Sequence, residues 1–175
     1  RSFDLGISIN YNEKIPLKIL KKAKIGFINF HYSYSNKIRG RNVLFHTIYN
    51  QEKYFGYTVH WMNYKIDAGN LIYTKKFKLR KKDTADKIFN IIEKDLKFFI
   101  KNKLSKNLYY YLNLNKKNKV KYFFYKKKDM EKLVYNFLKK EDLKKKNLLL
   151  NSLKFKNMNK DLINKISKIK KNDLS

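Results

Sequence analysis

The chain has 175 residues, with 43 Lys or Arg against 14 Asp or Glu and a formal net charge of +29. Hydrophobic residues make up 43% and aromatic residues 16%, which excludes a disordered polycation and leaves material for a core. The absence of Cys excludes disulfide scaffolds, thiolate metal sites and cysteine nucleophiles. No apolar run reaches the roughly 18 to 20 residues that cross a bilayer, and we recognise no signal peptide. We therefore expect a basic, cytoplasmic, globular protein that does not associate with a membrane.

The positive charge has two interpretations. A basic surface attracts nucleic acids and other polyphosphates independently of their sequence. The abundant residues, however, are Lys, Asn, Ile, Tyr, Phe and Leu, which largely have A/T-rich codons. Mutational drift would then enrich lysine on solvated faces without selection for a partner. Charge alone does not choose between the two.

The first half of the chain alternates predicted strands with short helices. In chain order we predict a strand at 4–10, a helix opened by Pro16 and ending near Lys22, a strand at 26–31, a loop at 32–42, a helix at 43–50, a strand at 56–61, a loop at 62–70 and a strand at 71–79. The strands are short, apolar and rich in β-branched residues, as buried strands are.

A long helix is predicted next, from about 85 to 102. Asp83 and Thr84 supply its cap, and apolar residues recur from Ile88 to Ile100 at helical spacing. The alternation followed by a helix favours an α/β domain, and we expect a mainly parallel sheet.

The composition changes near residue 103. Lysine runs occupy 126–128 and 144–146, a strand is predicted at 120–125, and amphipathic helices are predicted at 130–140 and 160–170. We therefore divide the chain into a catalytic domain at 1–102 and a small, Lys-rich α+β region at 103–175.

Three polar residues are placed by the predicted strands where a ligand would bind. Asn29 and His31 lie two apart at the carboxyl end of the second strand, so both side chains leave the same face. Asp67 follows the third strand. If these strands are neighbours, an amide, an imidazole and a carboxylate converge, which suits proton transfer and oxyanion stabilisation. Each residue also has a structural alternative, because His, Asn and Asp at strand ends often only satisfy turns.

The wider pattern resembles the folate-dependent formyltransferases, a family that includes methionyl-tRNA formyltransferase, glycinamide ribonucleotide transformylase and nucleotide-sugar N-formyltransferases. The matching order is Asn-x-His, Arg-Gly, Gly-x-Thr-x-His and Asp-x-Gly. The segments that carry it are 4–11, Ile15-Pro16, Gly26-Phe-Ile-Asn-Phe-His-Tyr-Ser33, Ile38-Arg-Gly-Arg-Asn42, Gly56-Tyr-Thr-Val-His-Trp-Met62 and Ile66-Asp-Ala-Gly-Asn-Leu-Ile-Tyr73.

The resemblance implies a Rossmann-like fold and formyl transfer from 10-formyltetrahydrofolate to a primary amine. We expect no metal, because three scattered His with no Cys fit none of the usual ligand spacings. Asn29, His31 and Asp67 match the family's catalytic set. Asn29 and protonated His31 would stabilise the oxyanion, and Asp67 would hold His31 and relay the proton leaving the amine.

Two further sets of residues are predicted to bind ligands. The first lies in segments that resemble the family's pterin pocket: Ile7, Ile9, Asn10, Tyr11, Ile66 and Gly69. The second is expected to contact the acceptor, with the arginines holding a phosphate: Arg39, Gly40, Arg41, His60 and Trp61. His60 and Trp61 also have the simpler interpretation of core residues.

The sequence departs from the family pattern in the loop and at its start. Tyr32 and Asn36 stand where the family usually has Pro, and Asn70 where Asp often follows the last motif. Family members also carry strands and helices before the segment that matches here. We therefore expect an N-terminally truncated chain whose activity is in doubt.

The last expectation concerns the acceptor of the formyl group. Residues 119–154 resemble the tail of the nucleotide-sugar enzymes, and no run of short strands indicates the β-barrel with which methionyl-tRNA formyltransferase ends. The first interpretation is a dTDP- or GDP-linked 4-amino or 3-amino sugar. The alternatives are methionyl-tRNA and a non-catalytic basic binding module. A homodimer is left open.

Overall fold

A computed structural model describes residues 1–11, 13–34, 37–114 and 123–125. Its elements in chain order are β1 (Phe3–Ile9), α1 (Leu17–Leu20), β2 (Ala23–His31), β3 (Ile38–Gly40), α2 (Val43–Tyr49), β4 (Tyr54–Trp61), β5 (Leu71–Lys78), α3 (Ala85–Phe99), a π-helical turn (Ile100–Leu104), α4 (Leu108–Asn113) and β6 (Phe123–Tyr125). The α/β class predicted from the sequence is confirmed.

The main sheet has four strands in the order β1-β2-β4-β5. β1 and β2 are parallel, whereas β2 with β4 and β4 with β5 are antiparallel. The mainly parallel sheet predicted above is therefore wrong for the described strands, because the sheet is mixed. The connection at 62–70 is the reason for the β4–β5 pair: a parallel crossover needs a dozen or more residues, so this short loop returns the chain as a hairpin.

The core lies between this sheet and α3. One stripe of α3 is buried against the sheet through Ile88, Ile92, Leu96 and Phe99. Two tyrosines also form hydrogen bonds with carboxylates of α3. Tyr32 donates to Glu93, and Tyr57 donates to Asp95 at 2.8 Å. Burial and these hydrogen bonds raise the pKa of both phenols, which therefore stay neutral donors.

The boundaries of the helices follow their capping. The Thr84 hydroxyl accepts from the backbone N–H of Lys87 at 3.3 Å, as the predicted cap requires. The α-helix ends at Phe99, and the π-helical turn continues it over the last residues predicted as helix. α1 has only four residues, none of them buried, so it is shorter than the helix predicted from Pro16 to Lys22.

The predicted loop at 32–42 contains a strand, β3. It forms a second, two-stranded sheet with β6, and the two strands are parallel. β6 lies inside the strand predicted at 120–125. The lysine runs at 126–128 and 144–146 and the helices predicted at 130–140 and 160–170 lie outside the described residues. Within the described ranges, no helix is both long and apolar enough to span a bilayer.

Candidate active site

A cavity of about 940 Å³ opens beside the carboxyl end of β2. The end of β2 and the loop at 62–67 line it. Residues at the end of β1, the segment at 13–17, the start of α2 and the start of α3 also contribute to its lining. All three residues of the predicted catalytic set line this cavity: Asn29, His31 and Asp67. The convergence expected from the sequence is therefore present in the fold.

The Asp67 carboxylate is the centre of the site. Its Oδ1 accepts from the Asn29 amide at 3.2 Å and lies 3.8 Å from His60 Nε2. Its Oδ2 accepts from the backbone N–H of Gly40 at 3.0 Å and lies 3.5 Å from His31 Nδ1. Only 9% of the Asp67 side chain is exposed, so two N–H donors and two imidazole nitrogens replace most of its solvent. The carboxylate links three separate segments of the chain.

The backbone around Asp67 explains how a hairpin loop reaches the site. Asp67 has φ of +50°, in the left-handed region that Asp and Asn tolerate better than most residues. Gly69 follows in close contact with β4, where an added Cβ would lie 1.5 Å from the Trp61 carbonyl oxygen. The sharp bend and the close approach turn the loop back over the end of β2.

His31 is held from the other side by β3. Its Nε2 lies 2.7 Å from the carbonyl oxygen of Ile38. Because a carbonyl only accepts, Nε2 carries a proton in this arrangement. The 3.5 Å separation of Nδ1 from Asp67 is longer than a good hydrogen bond, so this nitrogen is the less constrained one. Ring contacts also place His31 and His60 at 6.2 Å between centroids.

His60 is a buried neighbour of this set. It pairs with Asn29 across β2 and β4, and only 1% of it is exposed. Burial lowers the pKa of His60 to about 3, with the positive charges of His31 and Arg39 acting in the same direction and Asp67 opposing them. His60 is therefore a neutral imidazole at ordinary pH.

The residues predicted to bind the cofactor separate into two groups. Asn10, Tyr11 and Ile66 line the cavity. Ile7 and Ile9 do not line it, and their side chains are 52% and 43% exposed on β1. Gly69 lies just outside, where it packs on β4.

The residues predicted to contact the acceptor separate in the same way. Gly40, Arg41 and His60 line the cavity. Arg39 is 5% exposed and, like Trp61, is not among the lining residues. Trp61 packs partly against the hydrophobic core, in agreement with its simpler interpretation.

Sequence reasoning missed the backbone groups of β3. The Gly40 N–H contacts Asp67 and the Ile38 carbonyl contacts His31, but a backbone group has no signature in residue type. The Arg-Gly motif is the signal that could have pointed to these backbone groups. Gly40 adopts φ of +87°, a conformation that favours glycine, so the glycine marks an unusual backbone at this place. Lys14 and Lys65 were also missed, although they are cations that line the cavity.

No group of three or more His, Cys, Asp or Glu within the described part of the chain is arranged to hold a metal ion.

Comparison with protein families agrees with this geometry. The model for "Formyl transferase" matches residues 2–100, which include every element from β1 to α3 and the three residues predicted to be catalytic. The chain belongs to this formyl transferase family. The match covers more than half of the sequence, so the family assignment holds for the segment that builds the cavity.

Two relatives with different names are similar to this chain. A methionyl-tRNA formyltransferase of Mycoplasmopsis pulmonis is 36% identical over 87 residues, covering 50% of this chain and 30% of that protein. A GDP-perosamine N-formyltransferase of Brucella melitensis is 33% identical over 87 residues, covering 50% of this chain and 34% of that protein. The alignments thus span about a third of these relatives.

A solved structure supports the fold. The 4-N formyltransferase of Francisella tularensis superposes with a TM-score of 0.72 at 18% identity, covering 88% of this chain and 62% of that one. At this level of sequence identity the match supports only the fold. The fold it supports for this chain is the α/β, Rossmann-like class.

Proposed function

We propose that the protein transfers a formyl group from 10-formyltetrahydrofolate to a primary amine. The observation that carries this proposal is the Asp67 carboxylate, which gathers Asn29, His31 and the Gly40 N–H in the lining of a large cavity. An amide and an imidazole that both contact one carboxylate can stabilise an oxyanion and move a proton, which are the two tasks in formyl transfer to an amine.

In the proposed reaction the amine nitrogen attacks the formyl carbon and a tetrahedral oxyanion forms. The new C–N bond is kept, the bond from the formyl carbon to the folate nitrogen breaks, and the amine proton passes to that nitrogen. Asn29 has two N–H donors, of which one bonds to Asp67, so the second is available to the oxyanion. Protonated His31 provides the other donor through Nδ1, which lies 3.5 Å from Asp67 and makes no close hydrogen bond, while Nε2 donates to the Ile38 carbonyl.

Asp67 has two roles in this proposal. Its carboxylate orients His31, whose Nδ1 faces it at 3.5 Å. It also accepts the proton that leaves the attacking amine, directly or through water, and passes it on to the folate nitrogen. His60, neutral at ordinary pH, does not compete with His31 for the negative charge.

For the formyl donor, the cavity offers planar and apolar contacts. Tyr11, Tyr64 and Ile66 lie at its walls with 58%, 66% and 45% of their surfaces exposed, respectively. An exposed aromatic and apolar rim suits a flat heterocycle such as a pterin. This supports the folate donor that the family resemblance implies.

For the acceptor, we propose an amino sugar carried on a nucleotide. Arg41, Lys65 and Lys14 line the cavity and provide the positive charge that a diphosphate would need. The relative from Brucella melitensis is named for a GDP-linked amino sugar. The size of the cavity, about 940 Å³, also suits two bound ligands.

A second acceptor has an observation of its own. The relative from Mycoplasmopsis pulmonis is named for methionyl-tRNA, and it has the higher identity of the two. Methionyl-tRNA is therefore the alternative acceptor.

The test is an assay of the full chain with 10-formyltetrahydrofolate. The acceptors are a panel of dTDP- and GDP-linked 4-amino and 3-amino sugars and, separately, methionyl initiator tRNA. Mass spectrometry detects a product that is heavier by one CO group. We expect turnover on a sugar, and we expect His31→Ala to abolish it. Asp95→Asn is the control, because Asp95 holds Tyr57 on α3 and does not line the cavity.

Three outcomes separate the candidate functions. Sugar turnover that His31→Ala removes and Asp95→Asn preserves supports the proposal. Turnover on tRNA alone would replace the sugar with the second acceptor. Absence of turnover on every acceptor, together with salt-sensitive RNA binding, would favour the non-catalytic basic module.

A further inference from the structure

β6 touches the candidate site through β3. It comprises residues 123–125, which lie beyond the segment matched by the family model at 2–100. It runs parallel to β3, with Phe124 opposite Arg39. β3 in turn contacts both His31 and Asp67, so a single strand separates β6 from the catalytic set.

Two peptide groups of β3 define which way its backbone faces. The Ile38 carbonyl accepts from His31 Nε2 at 2.7 Å, and the Gly40 N–H donates to Asp67 Oδ2 at 3.0 Å. Both peptide bonds are trans. In a planar trans peptide, the C=O of one residue and the N–H of the next point in opposite directions. The N–H and C=O of Arg39 therefore both point away from the catalytic set.

β6 lies on the side to which these two groups point. In a parallel ladder, a residue bonds to the two residues that flank its opposite number. With Arg39 opposite Phe124, the Arg39 N–H is matched by the Phe123 carbonyl, and the Arg39 carbonyl by the Tyr125 N–H. Each of the two peptide groups of β3 is then held from both sides, by the catalytic set on one and by β6 on the other.

We propose that β6 is a positioning strand for the active site, fixing through Arg39 the two backbone groups that hold His31 and Asp67. This inference rests on the proposed function. β3 has only three residues, and the described residues give it no other strand as a neighbour. Small displacements of catalytic groups cost rate steeply, so loosening β3 slows the reaction without removing any catalytic side chain.

The test compares two proline substitutions in the full chain. Tyr125→Pro removes the N–H that faces Arg39. Phe124→Pro is the matched control: the Phe123 carbonyl points toward β3, so the N–H of Phe124 points away from it. We expect Tyr125→Pro to lower kcat about tenfold and to leave the KM of the amine acceptor within about twofold. Phe124→Pro should change both constants by less than about threefold.

Amide hydrogen exchange, followed by NMR, gives a readout that does not need turnover. In Tyr125→Pro the Gly40 amide should exchange about tenfold faster, and in Phe124→Pro its rate should be unchanged. Unchanged Gly40 exchange in Tyr125→Pro, or an equal loss of kcat in both variants, would overturn the proposal. If the unchanged protein has no formyltransferase activity, the proposed function fails and the exchange data still decide the role of β6.

The unchanged protein provides a second measurement in case Tyr125→Pro does not fold. The Arg39 amide should exchange slowly, because it donates to β6 and is not exposed to water. Slow exchange supports the pairing, and exchange at the rate of an exposed amide contradicts it.

Discussion

The site depends most on Asp67. Substitutions at this residue can separate two effects, the loss of its charge and the loss of its backbone bend. Asn tolerates φ of +50° as Asp does, so Asp67→Asn removes the charge and keeps the bend. We expect kcat to fall about a hundredfold or more, because the proton acceptor is lost. The free energy of unfolding should change by less than about 1 kcal/mol. Steady-state kinetics measures kcat, and urea denaturation measures the free energy of unfolding.

Asp67→Ala should show the second effect. It removes the same charge, so kcat should fall as far as in Asp67→Asn. Alanine is also strained in the left-handed region by about 1 kcal/mol or more, and the Gly40 N–H loses its acceptor. The alanine variant should therefore be less stable than the asparagine variant. Equal stability of the two would contradict the role given to the bend, and Asp95→Asn provides the control for loss of a carboxylate elsewhere.

His60 makes a prediction about acid stability. The pKa of His60 is lowered to about 3 from an ordinary value of 6.5, chiefly by burial. Between pH 6.5 and 3 the unfolded chain binds a proton at His60 that the folded chain excludes. This contribution to stability is complete above pH 6.5 and is lost as the pH falls toward 3, at up to about 1.4 kcal/mol per pH unit.

The measurement is urea denaturation of the protein and of His60→Gln at several pH values from 4 to 7.5. Gln cannot titrate, so the stability advantage of the unchanged protein over the variant should shrink by a few kcal/mol across this range. An advantage that stays constant with pH would mean that His60 is not held neutral by the fold.

At the scale of elements, Gly69 couples the hairpin loop to the site. An alanine Cβ would lie 1.5 Å from the Trp61 carbonyl oxygen, which is backbone and cannot turn aside. Gly69→Ala should therefore displace the loop that carries Asp67. We expect a loss of about 1 to 3 kcal/mol in the free energy of unfolding together with a large fall in kcat.

A variant of α3 serves as the control for Gly69→Ala. Thr84→Ala removes the helix cap and should cost about 1 kcal/mol of stability, but Thr84 does not line the cavity. It should lose stability without losing kcat at temperatures where it is folded. If Gly69→Ala behaved in the same way, the close approach of the loop would be structural only.

The elements differ in how far the sequence predicts them. α3 is long, strongly periodic and capped, so its start and its buried stripe follow from the sequence. β3 has three residues in a polar segment, too short for a periodic signal, and its strand conformation depends on a partner more than 80 positions away. The same limit applies to strand direction, because the sheet pairs β2 with β4 through contacts that no local pattern records.

The residues of the candidate site also differ in how far the sequence predicts them. Side chains with a distinctive order, such as Asn29, His31 and Asp67, are predicted to converge and do so. Ile7 and Ile9 were predicted from position in a matching segment, and alternation along β1 turns them away from the cavity. Sequence spacing locates a side chain along a strand, but the face it occupies depends on how the neighbouring strands are covered.

For the whole molecule, the charge of +29 acts over a surface much larger than the site. In the part of the chain that the structure describes, the Lys and Arg that line the cavity are Lys14, Arg41 and Lys65. Most of the described Lys and Arg therefore lie outside the site, where their charge attracts any polyanion.

This distribution of charge predicts that the protein binds RNA without discriminating between tRNAs. In a filter-binding or fluorescence titration, initiator and elongator tRNAs should bind with the same Kd within about twofold. Raising the salt from roughly 50 to 200 mM should weaken both by more than about tenfold, because binding of this kind depends on counterion release. Formylation of a nucleotide-linked amino sugar should be far less sensitive to salt, since the buried contacts of Asp67 are little screened. A preference for initiator tRNA that persists at high salt would instead mean that RNA is recognised by shape, and would favour methionyl-tRNA as the acceptor.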